Sequence, residues 1–289
     1  MGLNINSVKF LLSAKTRGVS FNRVLMIGRQ SLTIKPNEVR KLLQQLPIDR
    51  KLKQDILQLR LGSDVYAEEL FYMLGAENVE SMDMTSYEGA TITHDLNLPV
   101  PEQLKEKYDV VLDGGSLEHI FNFPVALKQC MEMLKIGGHY LGLTPCNNYT
   151  GHGFYQFSPE LFLRVFSSEN GFETLDIVLY EEDGVNIWYK ISEPEKRYRR
   201  ITFQNKVPAH LLILAVKKES KVIFNAYPQQ KMYQEAWESL GRISMQGNQS
   251  LRGIAFKWLS RLPPRVFWLV LNKWNIASRF RKDMFTKVG

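Results

Sequence analysis

Apolar residues along this chain alternate between two textures. Short apolar runs end abruptly in glycine or an acid: 23–28 closing at Gly28, 79–82 closing at Asp83, 90–93, 110–112 closing at Asp113-Gly114-Gly115, and 139–144 closing before Pro145. Two later runs, 172–180 and 210–216, complete a set of seven predicted strands, several apolar enough to be buried on both faces. Between them the apolar spacing becomes helical. Val8, Leu11 and Leu12 share one face of a helix over 7–15, Pro36 opens a helix through Leu46, and Ser63 caps a helix over 65–74 that Gly75 closes. A helix after Pro124 carries Leu127, Cys130, Met131 and Leu134 on one stripe and is expected to end at Gly137-Gly138. Ser158-Pro159-Glu160 opens a last helix through Phe166. Strand, helix and strand with short joints make parallel crossover units, so the expected class is α/β: a seven-stranded, mostly parallel sheet with helices on both faces. Segments 47–61 and 181–208 read as insertions, the second as a polar and aromatic lid or insertion.

The chain has 289 residues, 44% of them hydrophobic, enough for one large α/β domain with an appendage. Its two cysteines, Cys130 and Cys146, make a disulfide framework improbable on composition and suit a reducing, cytoplasmic setting. No signal-peptide pattern opens the sequence, and the longest late apolar run, 266–271, is too short to span a bilayer. The net charge of +7 is concentrated in the tail, where 251–289 carry nine Lys or Arg against Asp283 alone. The body is therefore near neutral, and 219–289 read as a helical, basic C-terminal extension of a domain spanning 1–218. If Pro264 starts a helix, Val266, Val270, Trp274 and Ala277 share one side, with Arg265 and Arg279 on the other. Such a face suits peripheral contact with an anionic membrane, packing on the body, or a second subunit in a homo-oligomer. No nucleic-acid-binding module accompanies the charge, so no nucleic-acid partner is expected.

In open α/β sheets ligands bind beyond the carboxyl ends of the strands. That places Asp113, Gly114, Glu118 and His119 at one cleft together with the loop after Pro145. The residues Asp113-Gly114-Gly115-Ser116-Leu117-Glu118-His119, then Gly137-Gly138, then Gly151-His152-Gly153-Phe154-Tyr155-Gln156-Phe157-Ser158-Pro159-Glu160 resemble class I S-adenosylmethionine-dependent methyltransferases. They most resemble a bacterial branch associated with cell-surface glycan synthesis. The resemblance covers roughly 19–217 and implies a Rossmann-like fold, S-adenosylmethionine as cofactor, and methyl transfer to oxygen of a small-molecule, sugar or glycan-related acceptor. It further implies cofactor contacts at Gly28, Arg29, Gln30, Asp83, Met84, Asp95, Leu96, Asp113 and Gly114, with Asp95 and Leu96 near the adenine. The first loop departs from the family pattern, having one glycine where three are usual. The other reading is therefore a methyltransferase fold without activity, serving as a binding or scaffold protein.

Methyl transfer from a sulfonium asks for in-line positioning and, for a hydroxyl acceptor, a base. His119 and His152 are the candidates, with Glu118 placed to orient His119; glycines on both sides of His152 let its loop approach a ligand closely. Asp83, at a strand end, suits the hydroxyls of a ribose. Asp113 could contact the cofactor or serve as a turn residue at the cleft floor. No metal is assigned, although Glu118, His119 and His152 could alternatively help bind a divalent cation, as in certain metal-dependent methyltransferases.

Overall fold

The computed structural model describes residues 2–62, 64–193, 201, 203–243 and 284–288. In chain order the elements are β1 (Gly2–Leu3), α1 (Ile5–Thr16), β2 (Arg23–Ile27), β3 (Ser31–Leu32), α2 (Pro36–Gln45), α3 (Arg50–Leu57), α4 (Glu68–Met73), β4 (Asn78–Asp83), β5 (Ile92–Thr93) and β6 (Tyr108–Asp113). They continue with α5 (Phe123–Met133), β7 (Leu134–Asn147), α6 (Pro159–Val165), β8 (Phe172–Glu181), β9 (Trp188–Ile191), β10 (Ala209–Lys217), α7 (Lys231–Ile243) and β11 (Phe285–Val288). The chain forms two compact units. The first comprises 1–191, 207–228 and 287–289, and the second 192–206 and 229–286.

The first unit is the expected α/β fold. Its main sheet runs β9-β8-β10-β7-β6-β2-β4-β5, with the pairs among β5, β4, β2, β6 and β7 parallel and β10 antiparallel to both β7 and β8. The seven strands read from the sequence are all present. The sheet nevertheless gains a further strand among the described residues, because Trp188–Ile191, in the segment expected to be a lid or insertion, pairs antiparallel with β8. Trp188 and Ile191 are buried, which explains why this polar-looking segment folds onto the sheet.

Alternate residues divide the core between two layers. Val24, Met26, Val110, Leu112 and Leu212 pack with α1, α2, α3 and α4 through Leu11, Leu12, Leu42, Ile56, Leu70 and Phe71. On the other face Tyr140 meets Phe166 at 4.7 Å, and the rings of Phe162, Phe157 and Phe123 continue the contact toward α5. Helices thus cover both sides, and every residue of β6 is buried. α1 is capped by Asn4, which accepts from the Asn6 and Ser7 amides; α6 is capped by Ser158 as expected, accepting from Glu160 N.

Three local expectations change. The segment 47–61 contains α3, capped by Asp49. α4 starts at Glu68 with no side-chain cap, and Ser63 lies outside the described residues. α5 ends at Met133, four residues before the glycines expected to stop it, because Leu134 already pairs with Tyr108. Gly137 and Gly138 instead form an irregularity inside β7, between the pairs Tyr108↔Leu134 and Val110↔His139. Gly137 has φ 81°, while a Cβ on Gly138 would lie 2.8 Å from Tyr108 O and 2.9 Å from Lys135 O.

In the second unit, the described residues include α7, an ion pair between Lys231 and Glu193, and a hydrogen bond from Ser192 N to Met284 O. The expected helix after Pro264 and its membrane-facing side lie outside the described residues. Among the described residues, no helix is long and apolar enough to cross a membrane.

Gly138→Ala should cost about 1–3 kcal/mol, since the backbone oxygens around it belong to paired strands and cannot give way. Gly137→Ala meets nothing within 4 Å and should cost only the left-handed backbone penalty, about 1–2 kcal/mol. Urea midpoints of the two variants test this order; an undisturbed Gly138→Ala would refute the crowding.

Candidate active site

The strand order reverses beside β2: the chain proceeds outward through β4 and β5 and returns to the opposite side of β2 as β6. At the carboxyl ends of β2, β4 and β6 lies a cavity of about 410 Å³. Since β6 is buried throughout and β2 from Val24 onward, polar side chains gather where the strands stop. Gly28, directly after β2, has φ 69°, and a Cβ there would stand 2.8 Å from Ser116 Oγ. Ser116 donates from that Oγ to Ile27 O at 2.7 Å, binding the loop after β6 to the end of β2. Gln30 is buried. Its Nε2 donates to Ile27 O at 3.0 Å, and its side chain lies so close to Gly114 that a Cβ there would be 2.6 Å from Gln30 Cδ. Gln30 Oε1 has no hydrogen-bond partner. Arg29 donates to Glu68 Oε1 at 2.7 Å and to Glu88 O at 2.8 Å, with its guanidinium 3.9 Å from the Tyr66 ring centroid.

The opposite wall comes from the ends of β4 and β5. Asp83 lines the cavity and accepts from the Met84 amide through Oδ1; among the described residues no hydrogen bond to its Oδ2 is formed. Met84 is exposed and Leu96 buried, so the two offer apolar surface at different depths. Leu96 is held through Gln129, a buried residue of α5 whose Nε2 donates to Leu96 O at 2.7 Å and whose Oε1 accepts from His94 Nε2 at 3.0 Å. Asp95 accepts from Asn97 N at 2.9 Å, and that hydrogen bond is the main reason its carboxyl titrates below the usual range.

His119 joins this cavity to a second group of residues. Its ring meets His152 edge to face, with centroids 5.0 Å apart. Beneath them Glu118 is fully buried, neither carboxylate oxygen has a hydrogen-bond partner, and Oε1 stands 4.0 Å from His152 Nε2. Burial raises the Glu118 pKa, and the neighbouring Asp113 charge raises it further. His119 is pushed the other way, first by burial and then by His152. The loop carrying His152 is fixed from below, since Phe154 N and Tyr155 N donate to Glu118 O at 2.7 and 3.2 Å. Farther along, Tyr149 lies against both His152 and His210, and Glu182 Oε1 accepts from Tyr149 Oη at 3.1 Å and His210 Nε2 at 2.8 Å. Phe121 and Phe154, both strongly exposed, meet edge to face with ring centroids 6.0 Å apart.

The structure thus brings Gly28, Arg29, Gln30, Asp83, Met84, Asp95, Leu96 and His119 to one cavity, and Glu118 and His152 to His119. Asp113 and Gly114 are not part of the cavity lining. Asp113 is buried as a turn residue, Oδ1 accepting from Ser116 N at 2.8 Å and Leu117 N at 3.3 Å, and Oδ2 from Tyr140 Oη at 3.2 Å. The sequence reading missed Ser116, His94, Gln129, Tyr149, Glu182 and His210. Gln129 alone left a visible signal, a polar residue one position from the apolar stripe that carries Cys130 and Met131. The others act through contacts spanning tens of residues.

No protein-family model matches the chain, and no curated protein does. Among solved structures, a Bacillus halodurans protein provisionally named a methyltransferase is 12% identical, with 73% of this chain and 99% of that one covered at a TM-score of 0.42. A branched-chain polyamine synthase from Thermus thermophilus, in complex with N4-aminopropylspermidine and 5'-methylthioadenosine, is 12% identical over 78% of this chain and 61% of that one, with a TM-score of 0.37. A SAM-dependent methyltransferase from Aquifex aeolicus is 9% identical over 71% and 88%, with a TM-score of 0.34. Similarity this low leaves the chemistry to be argued from the site itself.

Gly28→Ala should destabilise the chain by about 1–2 kcal/mol through its left-handed backbone, with a further loss from the clash at Ser116 Oγ. Adding Ser116→Ala removes the clashing atom. The double variant should therefore be more stable than the two single losses predict, by about 0.5 kcal/mol or more. Strict additivity in a denaturation cycle would show that the two residues do not meet.

Proposed function

We propose that this chain transfers a methyl group from S-adenosylmethionine to an oxygen of a sugar or glycan-related acceptor. The observation that carries the reading is one continuous site: a nucleoside-sized cavity at the strand-order reversal, joined through His119 to the Glu118–His152 cluster. The cavity suits the cofactor in one testable respect. Asp83, at the end of β4, has a carboxylate oxygen without a partner among the described residues, as ribose hydroxyls require. Met84 and Leu96 offer the apolar surface an adenine needs, and Gly28, Arg29 and Gln30 line the same cavity. The cofactor supplies an activated methyl group on a sulfonium.

The chain's own residues do the rest. His119 and His152 are the groups able to take the acceptor's proton or to grip its oxygen, and each is followed two residues later by an exposed aromatic, Phe121 and Phe154. Flat, exposed aromatic faces suit the apolar side of a sugar ring, while Tyr149 and Glu182 offer hydrogen-bonding groups nearby. The competing reading, a binding protein without activity, is favoured by one observation: Gln30 packs its side chain against Gly114, where a multi-glycine loop would leave open space.

Calorimetry with S-adenosylmethionine separates the readings at the first step, because the enzyme must bind it and a scaffold need not. Asp83→Ala should weaken that binding by about 1.5–3 kcal/mol, the range for a hydrogen bond to a charged group. Unchanged affinity would remove Asp83 from the site. His152→Ala should leave cofactor affinity within a small factor of the parent while abolishing the methylated product found by comparing extracts with and without the active chain. Product formation at the parent level would overturn its role.

A further inference from the structure

We propose that Glu118, His119 and His152 form a binding site for one divalent transition-metal cation. One ligand atom from each residue lies within 4.8 Å of the other two, and His152 Nε2 is 4.0 Å from Glu118 Oε1. Glu118 provides the independent observation. Its side chain is fully buried, and among the described residues both carboxylate oxygens lack a hydrogen-bond partner and no lysine or arginine forms an ion pair with it. Buried carboxylates are ordinarily paired, hydrogen-bonded or bound to a metal. Among the described residues neither oxygen makes a hydrogen bond of normal geometry, and the ion-pair partner is His152, at 4.0 Å, one of the two imidazoles that stand over the group.

The surroundings hold these ligands in place. Glu118 O receives the amides of Phe154 and Tyr155, and Gly153 approaches so closely that a Cβ would lie 2.7 Å from that oxygen and 3.2 Å from His119 Nδ1. Ligands of a single cation at about 2.0–2.2 Å would stand closer together than they do now, so the three must contract around the ion. Imidazole and carboxylate rotations allow this. Gly151 and Gly153, with φ 91° and 73°, give the His152 backbone the needed turn. Two nitrogens and a carboxylate form the donor set of the manganese-to-zinc series; magnesium and calcium prefer oxygen alone. Three protein ligands leave positions open, and the site adjoins the cavity through His119, so an acceptor oxygen could complete the shell. That use rests on the methyl-transfer reading, whereas cation binding does not.

The test uses the full chain, free of any histidine tag. Mn²⁺ is titrated by loss of its free aqueous paramagnetic signal, and Zn²⁺ and Mg²⁺ by calorimetry. One Mn²⁺ or Zn²⁺ per chain should bind, more tightly than Mg²⁺. Glu118→Gln and His152→Ala should each weaken binding at least about tenfold, whereas His139→Ala, in β7 and outside the cluster, should leave it unchanged. His152→Ala changes a glycine-flanked loop and carries the test even if Glu118→Gln fails to fold. Absence of one-to-one binding, binding that survives His152→Ala, or preference for Mg²⁺ would each overturn the proposal. A parallel titration of the metal-free chain with S-adenosylmethionine keeps the two conclusions apart, since its failure strikes the methyl-transfer reading without touching the cation site.

Discussion

The carbonyl oxygen of Glu118 accepts two amide protons, from Phe154 and Tyr155, and the site is organised around that backbone clasp. It unites the loop after β6 with the loop after β7, which are adjacent at the sheet end but separated along the chain. Gly153 makes the clasp sterically feasible, because any Cβ there would collide with the same oxygen. Once the loops are joined, Glu118 is covered, His152 is brought beside His119, and Phe154 is turned outward next to Phe121. A buried carboxylate, a pair of imidazoles and an exposed aromatic pair thus follow from one local constraint.

A similar economy shapes the cavity on the other side of His119. Gly28, Ser116 and Gln30 occupy a volume in which each excludes a larger neighbour: Ser116 Oγ fills the space over Gly28, and the Gln30 side chain fills the space over Gly114. The loop after β2 is stiffened by side chains where several glycines would have left it free. Arg29 extends the same logic outward, bridging Glu68 on α4 and Glu88 in the loop before β5. Asp113 belongs to this supporting structure. Its hydrogen bonds to the Ser116 and Leu117 amides and the Tyr140 hydroxyl set the turn from which Ser116 and His119 project.

Much of this was legible without coordinates, for identifiable reasons. Strand ends were marked where apolar runs met Gly28, Asp83 and Asp113, since buried parallel strands leave nowhere else for polarity. The caps at Ser158 and the proline in the first turn of α5 follow rules confined to a few residues. The role of Gly137-Gly138 did not follow, because a glycine pair reads equally as a helix stop or a strand irregularity until the partner strand is known. β9 escaped notice as well, since burial of Trp188 and Ile191 depends on the edge of β8 being open to receive them.

By itself the sequence determined the α/β class and marked most of the strand ends, because these depend on short-range periodicity or on residue types at a turn; it offered Glu118, His119 and His152 as candidates, and the structure brought them together. Only the tertiary structure decided that Asp113 supports the site from below while Asp83 faces the cavity. Both are acids at strand ends, and the distinction lies in which neighbours saturate their oxygens. It alone placed Gln129 under Leu96 and His94, and Tyr149 with Glu182 and His210, since those partners are separated along the chain and meet only through the packed sheet. It alone showed Glu118 enclosed without a hydrogen-bond partner, because burial is a property of everything packed around a residue and is not written in its immediate sequence.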